Sequence, residues 1–452
     1  MKKNKKKAFT LVELLAVIVI LAVILVIAIP QIMNVIKAAR LSSIKDSAML
    51  IAEQAEKDYI SQQVLNKDYN STSIPCTDVA KLNDDYASCS ISYSNGIATV
   101  KLKGSTTGKF SGITCKGTKD NMNCKESKPI ILGQPADKDD AVDYITAQVE
   151  AGDKTLTGCT GTGKLIEVTH ENGDVDYRYV GKCPNNYVTF NDETWRIVGI
   201  FDTQKTVGGT KEKRIKLIRN DSLGNYSWDT SASSINNGWG VNEWSQADLK
   251  TELNGDYLNS SLSSNTTWYN GQNNAKTATF DKSKVLKSNA QELIDDSVWY
   301  TGASTYGVSL STQYANERGN TTGKICTSGT YCNDSVDRTT KWVGKVGLIY
   351  PSDYGYASED SVCATNLGKI DGATDPYPCK NKNWLFTGNY YWTITPLSYS
   401  SYAYIVELVY NDGFVHTLSA STTLGVRPSI NLVSDILISG EGTKENPYTF
   451  SK

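Results

Sequence analysis

Residues 8–30 read AFTLVELLAVIVILAVILVIAIP, and the leader before them, residues 2–7, reads KKNKKK. From Phe9 to Ile29 the chain is apolar apart from Thr10 and Glu13. A helix of that length rises about 31 Å, enough to cross the hydrocarbon core of a bilayer. The five lysines of the leader hold it in the cytoplasm and place the rest of the chain outside. A cleaved secretory signal fits poorly, because its apolar core runs about 7–15 residues with a small-residue cleavage site behind it. This run is longer and ends in Ile29-Pro30-Gln31. A plain anchor leaves Glu13 unexplained, since a carboxylate inside a spanning helix is costly without a partner.

Beyond Pro30 the pattern becomes amphipathic. Ile32, Val35, Ile36, Ala39, Ile44, Ala48, Ile51, Ala52, Ala55 and Tyr59 recur at three- and four-residue steps between charged positions. The spacing predicts one helix over 9–59, with its first part in a membrane or filament and its second part bearing a small domain at 60–127. There CSISYSNG and IATVKLKG alternate around Asn95-Gly96, a hairpin cue. Cys76, Cys89, Cys115 and Cys124 fall in the same stretch. In an oxidising exterior they read as two bridges, 76–89 and 115–124 being the economical pairing among those possible.

The arrangement of residues 8–30 closely resembles the prepilin signal of type IV pilins and pseudopilins. In that family a prepilin peptidase cuts on the cytoplasmic side of the apolar run, and the new terminal residue, usually Phe, is N-methylated. The resemblance places the cut between Ala8 and Phe9, makes Glu13 the fifth mature residue and Pro30 the twenty-second. Ala8 stands where Gly is usual; Ala is small enough that slower processing is the most this implies. The physical logic agrees: the new amine on Phe9 is neutralised by a neighbour's Glu13 inside an apolar filament core, where a charge is tolerated only when paired. Pro30 removes one helical hydrogen bond and should kink or locally melt the helix. The implied partners are the peptidase, other pilin subunits in a helical filament, and the membrane before assembly. The implied location is a single-pass membrane protein with an extracellular carboxy terminus, ending at the cell surface or in a pilus.

Residues 128–154 read as a linker carrying one short acidic helix, and from 155 to 452 the chemistry changes. All nine Trp lie beyond residue 190. Ile166 to Val180 alternates around Glu171-Asn172-Gly173-Asp174, a hairpin tied at its base if Cys159 meets Cys183. Short strands such as WRIVGIF, RIKLIRN, YWTITP and YIVELVY follow, interrupted by helix-like WSQADLKTELNGDYLN and NAQELIDDSVWY. No βαβ alternation occurs, so the fold class is α+β throughout. The series from YVTFNDETWRIVGIF to GVRPSINL resembles a domain family of secreted and pilin-linked proteins of Gram-positive gut bacteria. It is also similar to the C-type-lectin-like fold that diversity-generating retroelements diversify. Near the carboxy terminus Tyr399, Tyr402, Tyr404 and Tyr410 are interspersed with Ser398, Ser400, Ser401, Asn411 and Asp412, a mixture that paratopes use. The lectin-like resemblance implies a ligand-facing surface there, for an external protein or glycan. The alternative is a Tyr-rich hairpin with ordinary cross-strand pairs.

Several chemistries are disfavoured. Net charge is 46 − 48 = −2, and loss of the leader's five Lys makes it 41 − 48 = −7, unsuited to holding nucleic acid. The ten Cys include no CxxC pair and there are only two His; no GxSxG, HExxH or P-loop occurs. His170 and His416 have no nucleophile beside them in sequence, and NGDVD at 172–176 lacks calcium-loop spacing. We therefore expect no catalytic residue, metal or cofactor. Cys326, Cys332, Cys363 and Cys379 read as bridges 326–332 and 363–379. The other reading is the reactive pair of formylglycine-generating oxidases, which share the lectin-like fold. The expected function is a minor, tip or decorated pilin displaying an adhesive domain. The alternative is a pseudopilin of a secretion or DNA-uptake machine whose outer domain docks a partner.

Overall fold

The computed structural model describes residues 11–65, 73–76, 82–126, 134–149, 159–319, 339–398 and 404–452, apart from positions 95, 106–107, 210, 306, 361–362, 365 and 369–377 within them; side chains are described from residue 32 onward. Two compact units divide the chain, Met1–Pro129 and Ile130–Lys452. Helices mix with several sheets in which antiparallel pairing prevails, so the class is α+β.

In the first unit one helix, α1, spans Leu11–Val64. It is continuous through Pro30, so of the two effects expected there, a kink or local melting, the helix does not melt. Among the described residues no helix is long and apolar enough to cross a membrane, and the span expected over 9–29 falls where side chains are not described. The periodic positions behave as their spacing requires. Ile44, Ala48, Ile51, Ala52 and Ala55 are buried against Ile91, Ala98, Val100, Leu102, Phe110 and Ile113 of the sheet. Alanines at this interface let the helix approach closely. Tyr93 donates its hydroxyl to the Ala55 carbonyl at 3.1 Å and Tyr86 to Ser47 Oγ at 3.1 Å, which fixes the crossing.

The sheet has five strands in sequence order, Ser73–Pro75, Tyr86–Ser94, Ile97–Gly104, Ile113–Gly117 and Met122–Glu126. The second and third form the expected two-residue hairpin, with Ser94 opposite Ile97 and Gly96 at φ +80°, a conformation that glycine adopts freely. Cys76 is bonded to Cys89 and Cys115 to Cys124.

The second unit is built on a seven-stranded sheet. It runs Val346–Gly347, Ser429–Asn431, Lys211–Arg219, Glu193–Gln204, Val175–Gly181 and Gly163–Thr169, with Tyr187–Phe190 also pairing to Glu193–Gln204. A five-stranded sheet contains the hairpin Ile405–Val409 and Val415–Ser419. The stretch expected as a linker, 128–154, is described over 134–149. There the strand Ala136–Asp140 pairs with Leu437–Gly440, and the helix Ala141–Ala147 places Tyr144 and Ile145 in the core. The tryptophans explain the composition: six of the nine, Trp195, Trp228, Trp244, Trp268, Trp299 and Trp392, are fully buried. Trp228 and Trp392 donate their indole N–H groups to the carbonyls of Thr393 and Tyr226, at 3.0 and 3.1 Å, as buried indoles usually do. Cys159–Cys183 and Cys363–Cys379 are bonded; Cys326 and Cys332 lie outside the described residues.

Candidate functional site

The carboxy-terminal hairpin separates the tyrosines that the sequence groups together. Tyr404 precedes the strand Ile405–Val409 and Tyr410 follows it. Six residues at about 3.3 Å each put them about 20 Å apart. Tyr399 and Tyr402 lie outside the described residues, so the described part of the expected face forms two clusters at opposite ends of the strand.

At one end Tyr404 stacks on Trp239, with ring centroids 6.2 Å apart and planes within 24°. Trp239 is 39% exposed and its neighbour Ile235 51%, against the burial of most other tryptophans. The loop that presents them is made by left-handed backbone: Asn236, Asn237, Gly238 and Gly240 all have positive φ, which Asn and Gly tolerate best. Asn236 closes the loop by donating to the Gly240 carbonyl at 2.9 Å, and Ser421 N–H donates to the Trp239 carbonyl at 3.1 Å. A second loop with left-handed Asn273 and Asn274 lies against Gly238, whose missing Cβ would meet Asn273 Oδ1. A part-exposed aromatic pair framed by asparagine amides can stack on a ligand ring and hydrogen-bond around it. Sequence reading missed Trp239, although its Gly-Trp-Gly context is a turn signature rather than a core one.

The same loop is pinned from below by carboxylates. Asp229 accepts the Val241 N–H at 2.7 Å and the Asp248 N–H at 3.0 Å. Asp248 accepts the Thr230 N–H at 2.9 Å and its hydroxyl at 2.5 Å. Burial, aided by the charge of Asp248, pushes the Asp229 carboxyl up to about 7. Burial likewise pushes Glu252 up to about 8; it accepts the Tyr269 N–H at 2.8 Å.

The other end of the strand is an ordinary turn. Tyr410 meets Tyr390 edge-on at 4.4 Å and His416 at 4.3 Å. Asp412 accepts the Phe414 N–H at 2.9 Å and sits 3.0 Å from His416 Nε2, holding the turn that Gly413 makes at φ +94°. Asn411 is exposed at its tip.

His170 is buried. Its Nε2 lies 2.7 Å from Asp176 Oδ2, and its ring stacks on Tyr314 at 3.5 Å. Arg178 bridges Asp176 at 2.7 Å and Asp353 at 3.0 Å, and Lys216 reaches Asp353 at 2.5 Å. Burial tends to raise the Asp176 carboxyl, but the Arg178 guanidinium and the His170 bond hold it well below the usual range. In the 172–176 stretch, Asn172 and Asp174 bond each other and Asp174 pairs with Lys211. Among the described residues no group of three His, Cys, Asp or Glu can hold a metal, and no cysteine is free.

Comparison with known proteins adds one finding. The prokaryotic N-terminal methylation motif matches residues 3–29. This motif supports a type IV pilin- or pseudopilin-like subunit and points to a structural subunit rather than an enzyme. It implies processing by a prepilin peptidase and assembly with other pilin subunits, and it suggests a membrane-anchored pilus or surface protein. No curated protein and no solved structure matches the chain, so the lectin-like resemblance of residues 155–452 rests on their sequence alone.

Proposed function

We propose that the chain is a minor, tip or decorated type IV pilin that is cut between Ala8 and Phe9 and displays its second unit as an adhesive domain. The observation that carries this reading is the methylation motif over residues 3–29, at the head of a chain whose larger compact unit, Ile130–Lys452, is far bigger than its helix and sheet require. Phe9 supplies the methylated terminus, Glu13 neutralises the amine of a neighbouring copy, and Pro30 adjusts the helix during packing. The lectin-like resemblance assigns the second unit to capture of an external protein or glycan, with Trp239 and Tyr404 as the centre of the contact surface.

Mass spectrometry of the mature chain tests the first part: the amino terminus should be methyl-Phe9, and a chain beginning at Met1 would overturn it. For the second, cells carrying Trp239→Ala with Tyr404→Ala should keep their surface filaments and lose adhesion to host tissue sections. Unchanged adhesion would refute Trp239 and Tyr404 as the contact surface, and no adhesion by the parent cells would remove the adhesive role and favour a pseudopilin whose outer unit docks a partner.

A further inference from the structure

Arg196 is 5% exposed, and buried guanidinium groups ordinarily meet a carboxylate. Arg178, Arg214 and Arg219 do so in this unit. Arg196 does not, among the described residues. Its Nε donates to Asn186 Oδ1 at 2.6 Å and its Nη2 to the Pro184 carbonyl at 3.4 Å. Nη1 has no hydrogen-bond partner there. The charge is instead held between two rings, Tyr187 at 3.7 Å and Trp384 at 4.8 Å from the guanidinium carbon.

The residue lines an open cavity of about 410 Å³, together with Lys182, Lys380, Asn381, Tyr187, Trp384 and Phe386. Among the described residues three cations and no carboxylate line it, in a chain whose acidic groups outnumber its basic ones. Glu359 and Asp360 on the loop 358–360 are engaged elsewhere, by Lys164 at 3.5 Å and Lys382 at 3.6 Å. Lys444 lies 5.5 Å from the Tyr187 ring, adding a further positive charge. Burial, with the charge of Arg427 nearby, lowers the Arg196 guanidinium to about 9; a bound anion relieves that cost.

The walls are held in place before any ligand arrives. Cys159–Cys183 fixes the lysine-bearing turn at Lys182, and Cys363–Cys379 fixes the segment that begins with Lys380. Trp384 donates its indole N–H to the Tyr179 carbonyl at 2.7 Å and its backbone N–H to Gly181 at 2.8 Å. Asn383 donates to the Tyr354 carbonyl at 2.7 Å. Such preorganisation lowers the cost of binding.

We propose that this cavity binds an acidic sugar, with the oxyanion on Arg196 and Lys182 and the pyranose ring against Tyr187 and Phe386. The volume falls within the roughly 300–1,000 Å³ of small-molecule sites. A planar guanidinium pairs with carboxylate and sulfate alike. The half-buried aromatic rings suit the apolar face of a pyranose, and the exposed amide of Asn381 suits its hydroxyls. The site shares no residue with the surface at Trp239 and Tyr404 and does not depend on it.

The test is calorimetric titration of the purified full-length chain in detergent with glucuronate, glucose 6-sulfate and glucose at matched ionic strength. Saturable binding of glucuronate, glucose 6-sulfate or both, with none of glucose, is the expected result, and the stronger binder identifies the oxyanion. Arg196→Gln should abolish binding. Because Arg196 is buried, Lys182→Glu at the exposed rim is the second variant, expected to weaken binding about tenfold or more, about 1.4 kcal/mol, without unfolding. Binding of neither acid, equal binding of glucose, or affinity unchanged in both variants would overturn the proposal.

Discussion

The Asp229 carboxylate accepts the backbone N–H of Asp248 at 3.0 Å, so the residue that opens the Trp239 loop also caps the helix Asp248–Asn254 that closes it. Its other oxygen takes the Val241 N–H at 2.7 Å. Loop and helix are therefore one hydrogen-bonded unit, centred on a carboxyl whose proton is retained to about pH 7.

This fixes the sign of a pH dependence. Asp229 and Glu252 have folded-state values raised to about 7 and about 8. Between their unfolded values near 4 and these folded ones, the native chain binds more protons than the unfolded chain, so their contribution falls as pH rises. Asp176 and Asp353 are shifted downward, and their contribution is lost only as pH falls below about 4. The denaturation midpoint of the full-length chain should therefore be higher at pH 5 than at pH 8.5. Asp229→Asn should flatten much of that slope, and a midpoint that rises over this interval would contradict the assignment.

Asp353 is the hub of the buried ion network, meeting Arg178 at 3.0 Å and Lys216 at 2.5 Å and accepting the Tyr350 N–H at 3.1 Å to cap the helix Pro351–Tyr356. Asp353→Ala leaves two buried cations short of a partner, Lys216 uncompensated and Arg178 paired with Asp176 alone, at a cost of about 3–5 kcal/mol. Lys216→Met in the same chain removes one of them and should recover part of the loss. Chemical denaturation of the single and double variants measures the difference; equal stabilities would show that the pair is not coupled.

Gly238 sits at φ +80° with the Asn273 side chain where its Cβ would be. Gly238→Ala should cost about 1–2 kcal/mol through backbone strain and displace Trp239 from Tyr404. Intrinsic tryptophan fluorescence reports the displacement, because most other indoles are buried. An unchanged spectrum and stability would mean that the loop tolerates a side chain.

What the sequence made legible was local. The buried face of α1 follows from a 3.6-residue repeat, the Asn95-Gly96 hairpin from its turn chemistry, and the four bonded cysteine pairs from separations of 9 to 24 residues. What it concealed depends on distant partners. Ala136–Asp140 reads as a solvated acidic linker because its strand partner, Leu437–Gly440, lies about 300 residues away. Tyr404 and Tyr410 read as one cluster in sequence, but the strand Ile405–Val409 between them holds them about 20 Å apart. Trp239 is held in solvent by a loop that rests against Asn273, a neighbour more than thirty residues on in sequence. Arg196, inside the strand-like WRIVGIF, gives no sign in sequence that its neighbours would be rings and lysines rather than a carboxylate.

Ala52 offers a test of the first unit alone. It is fully buried between α1 and the sheet, one turn from Ala48 and Ala55, with Ile91 and Val100 in the same core. Ala52→Leu adds three carbons where no space exists and should destabilise the unit by about 1–3 kcal/mol. A unit of this size loses about 4–8 °C in Tm per kcal/mol. Ser43→Leu, on the exposed side of the same helix, adds similar bulk without a core to disturb and should leave Tm within about 2 °C. Differential scanning calorimetry of the full-length chain separates the two variants. Equal shifts would mean that α1 does not dock through its alanine face, and the amphipathic reading of residues 32–59 would fall with it.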